Sequence, residues 1–349
     1  MHSAFSRDGH VPNETKVGNV TARKGELKKG IIKGVELING ENVDIPVFVM
    51  NGLMDGPTLL VMSTQHGTEI QGIEVIHKLM NEKLTPNNLK GAVIGIPVGN
   101  PLAFTHQLYW SWVDNLDIGQ VPADKSSGNT SERLANALWT EAWSKSKMII
   151  NLHCNTRPDS LFYQSINMSD PRTRDTLRKM AEAFGITTIV ADEPVPEYAQ
   201  PTLNNLAARN GIPVILEELV DGRWISQPST NVGVKGVLNI MKTFGMIDGK
   251  PEPQEGIRMV SGVNKSAGII RANRGGLIRF FKKPGEQIKK GEVLAQIYNL
   301  YGEVIEQVTM PIDGYTWAYP CGQSLGTSGG LQGVQTGANV AYIFTHEGA

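Results

Sequence analysis

Apolar residues along this chain fall into two alternating kinds of segment. Short continuous runs come first: Gly30 to Leu37, Val43 to Met50, Pro57 to Ser63, Ala92 to Val98, Met148 to Leu152, Thr187 to Val190 and Pro213 to Glu217. Runs of this length without polar alternation predict strands, the continuous ones buried on both faces of a parallel or mixed sheet. Between them the period changes to that of a helix. Gln71 to Asn81 brings Ile73, Ile76, Leu79 and Met80 towards one face, and Thr130 to Ser144 does the same with Leu134, Ala137, Leu138 and Ala142, Thr130 reading as its cap. Arg172 to Phe184 and Thr202 to Asn210 are helical in pattern, and each is closed by a glycine, Gly185 or Gly211, a common stop signal. Strands alternating with helices predict an α/β sandwich.

The pattern breaks near residue 248. Asp248-Gly-Lys-Pro-Glu-Pro-Gln-Glu-Gly256 is polar and turn-rich, the composition of a linker. Beyond it helical periodicity vanishes, and short strands are punctuated by Gly275-Gly276, Pro284-Gly285, Lys290-Gly291 and Asp313-Gly314. Two domains are therefore expected, 17–247 as α/β and 256–349 as a small all-β unit.

Composition narrows the function. With 40% hydrophobic and 19% charged residues among 349, the chain has the material for a sizeable core and is unlike a disordered one. A formal net charge of −1 provides no global field to attract nucleic acid or an anionic membrane. No stretch approaches the roughly 20 apolar residues that span a bilayer, and the first 16 residues lack the apolar centre of a signal peptide. The two cysteines, Cys154 and Cys321, are too few for a disulfide framework and read as reduced thiols. A cytoplasmic location is the expectation, with neither nucleic acid nor membrane as partner.

The candidate chemistry sits at strand ends, where open α/β sheets place their ligands. Thr64-Gln65-His66-Gly67-Thr68-Glu69 follows one buried run. Three positions apart on a turn, an imidazole and a carboxylate can face one point, and both ligate zinc at about 2.0–2.2 Å. Alone, such a pair is weak evidence, because chance occurrences are common. A second histidine, His153, follows the run Met148 to Leu152, and two acids, Glu217 and Glu218, end the run after Gly211. Three protein ligands with one open position is the catalytic zinc pattern. Either acid offers a general base for metal-activated water.

These residues together resemble the succinylglutamate desuccinylase/aspartoacylase family, relatives of the zinc carboxypeptidases. The matching stretches are His66-Gly67-Thr68-Glu69, His153, Pro213-Val-Ile-Leu-Glu-Glu218-Leu219, Gly99-Asn-Pro-Leu-Ala-Phe104, Ser131-Glu-Arg-Leu-Ala135 and Lys283-Pro-Gly-Glu-Gln-Ile-Lys-Lys-Gly291. The resemblance runs from about residue 30 to the end. It implies a mixed-sheet α/β/α domain of zinc-carboxypeptidase type, followed by a barrel-sandwich domain like biotinyl and lipoyl domains. It implies one zinc per chain on His66, Glu69 and His153, with Glu218 as the catalytic base. It further implies hydrolysis of the amide bond of a small N-acylated amine or amino-acid derivative, and self-association of the chain. A carboxypeptidase-like peptidase, or a binding protein that has lost catalysis, is the alternative. No lysine stands in Met310-Pro-Ile-Asp-Gly-Tyr315, so a lipoyl-type carrier role is rejected.

One stretch departs from the family pattern. Where the family carries Asp-Leu-Asn-Arg before its Glu-Arg-Leu-Ala helix, this chain has Asp117-Ile118-Gly119-Gln120. The resemblance assigns that Asn and Arg to the carboxylate of the substrate, and glutamine cannot supply the bidentate cation. Gln120, Asn155 and Arg157 are the candidate substrate-binding residues, Arg157 as a replacement cation. His106, Tyr109, Trp110 and Trp112 fill a segment in which the family often has an arginine, and offer hydrogen bonding and stacking.

Overall fold

The computed structural model describes residues 13–155, 160–196, 198–262, 264–319 and 333–346. A hairpin of β1 (Glu14–Val17) and β2 (Val20–Arg23) leads into β3 (Glu26–Glu36), β4 (Asn42–Asn51) and β5 (Met54–Ser63). Then come α1 (Gln71–Lys78), β6 (Lys90–Ile96), the short α2 (Pro101–Thr105), α3 (Thr130–Glu141) and β7 (Met148–Cys154). The α/β part closes with β8 (Tyr163–Asn167), α4 (Arg174–Phe184), β9 (Thr187–Ala191), α5 (Leu203–Arg209), β10 (Val214–Leu219) and α6 (Gln227–Thr243).

The central strands alternate between two buried faces, as their unbroken apolar runs require. On β5, Leu59 and Val61 join a core cluster with Val75 and Ile76 of α1, Met180 and Phe184 of α4, and Val237 and Ile240 of α6. Leu60 and Met62 join a second cluster with Leu134 and Leu138 of α3 and Leu203 and Ala207 of α5. Helices thus cover both faces of the sheet. Each fully buried leucine or isoleucine contributes roughly 1.5–3 kcal/mol relative to exposure. The sheet is mixed: β5 is parallel to β6 and β7, β10 is parallel to β7, and β8 enters antiparallel to β10.

Element ends follow local chemistry. Gly185 closes α4 at φ 80°, a left-handed backbone in which a Cβ is strained. Thr202 caps α5 by accepting from Asn205 N–H. The cap of α3 is Asn129 rather than Thr130: its side chain accepts from Glu132 N–H while Glu132 reaches back to Asn129 N–H, a reciprocal pair that a lone threonine does not provide. The expected first helix is α-helical only to Lys78 and then widens into a π-helical turn, Leu79–Lys83.

After the linker come β11 (Asn264–Arg271), β12 (Gly276–Phe280), β13 (Gln287–Ile288), β14 (Val293–Tyr298), β15 (Val304–Thr309), β16 (Gly314–Ala318), β17 (Gly333–Val334) and β18 (Asn339–His346). This segment has its own core around Ile278, Leu294, Ile297, Val340 and Ile343. Among the described residues, one of its two layers is a separate sheet and the other is not. Strands β15-β14-β12-β17 form one sheet, but β13, β16, β18 and β11 continue the main sheet, which reaches twelve strands because Asn264 and Lys265 of β11 pair in parallel with Ile189 and Val190 of β9. Leu161, Tyr163 and Ile189 pack with Ala318 and Phe344 across the junction. Among the described residues, no helix is long and apolar enough to cross a membrane.

Candidate metal centre

The site gathers at the carboxyl ends of β5, β7 and β10. Leaving β5, Thr64 takes a left-handed backbone (φ 53°), and its hydroxyl donates to the carbonyl of Glu69 at 3.1 Å. Glu69 N–H donates to the carbonyl of His66 at 3.0 Å. His66 and Glu69 therefore share a tight turn ahead of α1. A Cβ at Gly67 would run into the backbone of Ala103, so this turn needs glycine at its second position.

Glu69 bridges the two histidines. Its Oε1 lies 2.8 Å from His66 Nδ1 and its Oε2 lies 2.8 Å from His153 Nδ1. All three side chains are buried, and their ligand atoms lie within 4.8 Å of one another. His66 and His153 thus present the same ring nitrogen to the same carboxylate, a donor set suited to zinc. Burial works against a charged His66, but Glu69 and Asp117 outweigh it and raise the imidazolium to about 10. Burial likewise opposes a charged Glu69, and the two histidines outweigh it, bringing the carboxyl down to about 2. The protein has built a buried spot that holds positive charge.

Asp117 completes this surrounding. Its Oδ1 stands 3.4 Å from His66 Nε2, and Gly119 N–H donates to the same oxygen at 2.8 Å. A carboxylate behind a ligating histidine fixes the ring and strengthens it as a ligand. Tyr109 stacks on the His66 ring, with centroids 3.7 Å apart and planes 15° off parallel. Burial first, then Glu69, Asp117 and Glu218, push the Tyr109 phenol well above its ordinary value, so it stays a neutral hydroxyl.

Strand register separates the two neighbouring acids. Glu218 pairs with His153 on β7 and with Tyr163 on β8, so these three share one face. Glu217 pairs with Leu152 and Gln164 and faces the helical core on the other side. Glu218 is half-buried. Burial and the charge of Glu69 drive its carboxyl well above the usual range, while His66 and a hydrogen bond with Tyr163 pull the other way. The Tyr163 phenol is raised by burial, Glu218 and Glu69, and Tyr342 of the C-terminal segment adds to this at both Tyr163 and Tyr109.

The candidate substrate residues separate. Asn155 is buried beside His153; its N–H donates to Leu219 and its carbonyl accepts from Gly222, while its Nδ2 has no acceptor among the described residues. Gln120 is exposed, its backbone N–H donating to the carbonyl of Asp117. Arg157, Cys321 and part of the glycine-rich stretch 326–337 lie outside the described residues. Asp117 and Tyr163 escaped the sequence reading. Asp117 had a signal as the first residue of the altered segment; Tyr163 had none, since its strand is short and half polar.

Comparison with known proteins places this geometry. Residues 55–244 match the family model of the succinylglutamate desuccinylase/aspartoacylase catalytic domain. The N-alpha-acetyl-L-2,4-diaminobutyric acid deacetylase of Halomonas elongata is 22% identical over 260 residues, 74% of this chain and 75% of the relative. A succinylglutamate desuccinylase/aspartoacylase from Rhodobacter sphaeroides shares the fold at TM-score 0.78 and 24% identity, covering 92% of this chain and 96% of its own. The product-bound ectoine utilization protein EutE (DoeB) from Ruegeria pomeroyi does so at TM-score 0.80 and 17% identity, covering 95% and 99%.

Proposed function

The chain belongs to the succinylglutamate desuccinylase/aspartoacylase family, hydrolases of C–N amide bonds, and from that premise we propose that it is a zinc-dependent deacylase of small N-acylated amines or amino-acid derivatives. The observation that carries this reading is the convergence of His66 Nδ1 and His153 Nδ1 on Glu69, with Glu218 on the same face of the sheet. The relative from Halomonas elongata, named as a deacetylase of an acetylated diamino acid, supports a small acylated substrate.

His66, Glu69 and His153 would hold one zinc per chain, and when bound the ion supplies a Lewis acid that acidifies water and polarises an amide carbonyl. Glu218 takes the proton from the attacking water on a carboxylate oxygen and returns it to the leaving nitrogen. Tyr163 holds Glu218 towards the reacting face, and Tyr109 shields the His66 ring from water. Asp117 keeps His66 oriented.

We further propose that the C-terminal segment is the barrel-sandwich domain of biotinyl/lipoyl type. Two four-stranded layers, β15-β14-β12-β17 and β13-β16-β18-β11, around one apolar core support this reading.

Elemental analysis of purified wild type beside His66→Ala tests the centre. The expected result is about one zinc per wild-type chain, lost in the variant. A wild type that stays free of metal after zinc is supplied and excess removed would overturn the proposal.

A further inference from the structure

The family's Asn and Arg positions are occupied here by Gly119 and Gln120, and the structure shows that neither position is simply weakened. The space that a side chain at 119 would need is held by the amide of Gln65, whose Oε1 accepts from Asn151 Nδ2 at 3.2 Å. Gln120 faces solvent. Neither position delivers a cation to the site.

A different pair of donors lies unused. Asn155, 6% exposed, has a buried Nδ2 with no acceptor among the described residues. Arg223 is half-buried, its buried Nε has no acceptor among the described residues, and loss of water lowers its pKa. Withdrawn donors and charges without partners are costly. Two such groups in one neighbourhood point to an acceptor that arrives from outside the chain.

The backbone brings them together at the metal centre. Asp221 leaves β10 in a left-handed conformation (φ 62°), and Trp224 N–H closes the turn on the Asp221 carbonyl at 2.9 Å. Gly222, the residue before Arg223, donates to the Asn155 carbonyl at 2.8 Å and accepts from Ile70 N–H at 2.9 Å. Asn155 is two residues past His153, and Ile70 directly follows Glu69. The Arg223 loop is therefore pinned to both segments that carry the candidate metal ligands. A non-glycine residue held at positive φ at such a place is typical of a functional turn.

We infer that Asn155 and Arg223 form the carboxylate-recognising pair of this enzyme, replacing from the β10 side the pair lost at Gly119 and Gln120. The inference rests on the deacylase reading. A carboxylate presents two coplanar acceptors, which match a guanidinium edge beside an amide N–H. The ligand class is an N-acylated amine bearing a carboxylate, located either on the amine portion, as in an N-acetyl amino acid, or on the acyl portion, as in an N-succinyl amine.

The experiment compares zinc-loaded wild type, Arg223→Met and Arg223→Lys on two panels: N-acetyl amino acids and N-succinyl amines, each against its matched carboxamide. The expected wild-type kcat/KM ratio of carboxylate to carboxamide is at least about tenfold, the worth of a charged hydrogen bond. It should fall to about one in Arg223→Met and recover in part in Arg223→Lys. The panel that shows the preference locates the carboxylate. A wild-type ratio near one, or one unchanged in Arg223→Met, would overturn the pair. If neither panel is hydrolysed, the deacylase reading fails, and calorimetric titration with N-acetylglycine and succinate decides the pair separately: binding lost in Arg223→Met supports it, and no binding to wild type ends it.

Discussion

Glu217 and Glu218 are neighbours in the chain and opposites in the fold. Glu218 lies on the face where Glu69, His66, Asp117 and Tyr163 surround it with charges and hydrogen-bonding groups. Glu217 lies on the face packed by α1, α4 and α6, fully buried, with neither carboxylate oxygen hydrogen-bonded among the described residues. Burial and the nearby Glu218 push the Glu217 carboxyl well above the usual range. One face of the sheet sets an acid among charged and hydrogen-bonding groups; the other buries an acid with no hydrogen-bond partner among the described residues. The same residue type does different work according to what is packed beside it.

That contrast can be broken from the metal side first. His66→Ala should remove both metal and activity, read by elemental analysis and turnover on acylated amines. Glu218→Gln should keep its zinc yet lose roughly 10²–10⁴-fold in kcat, the range for a general base; a variant close to wild type would move the role elsewhere. Asp117→Asn acts through His66, and its zinc affinity should fall about 10–100-fold in chelator competition.

The core side yields the smallest effect and the sharpest test of the contrast. A carboxyl whose folded pKa is raised favours folding while protonated. Its contribution is complete below the unfolded value of about 4.3 and is lost as pH rises through the folded value. The wild type should therefore carry a penalty at neutral pH that Glu217→Gln lacks. Urea unfolding at pH 5 and pH 8 should show the variant gaining about 1–2 kcal/mol relative to wild type at the higher pH. A gain of equal size at both pH values would mean that Glu217 is not held neutral.

Much of the fold was legible because its strands are unbroken apolar runs and its helices carry clear periodicity. The cluster of His66, Glu69 and His153 was legible as a candidate because its segments follow two such runs, those ending at Ser63 and Leu152. What escaped was whatever depends on pairing. Adjacent acids cannot be assigned to faces until β10 finds β7 and β8. Tyr163 lies on a strand with only itself and Ile166 as apolar marks, and that strand runs antiparallel to β10 and parallel to β9. Helix α6 went unread because Gly233 and Gly236 interrupt its apolar face; in the fold they let Val75 and Phe184 approach closely. Arg223 is one more loop arginine until its Nε is seen to lack an acceptor.

The short ladder between β9 and β11 has a consequence for how the chain can be divided. The linker before Asn264 invites a cut, and the segment beyond it has a core of its own. Yet that segment also covers the outer edge of β9. A chain ending near residue 255 would present a bare row of backbone donors and acceptors, ready to template pairing with another copy. The last quarter of the molecule therefore acts as an edge guard, and such a truncated protein is expected to precipitate in proportion to its concentration rather than remain a free-standing hydrolase.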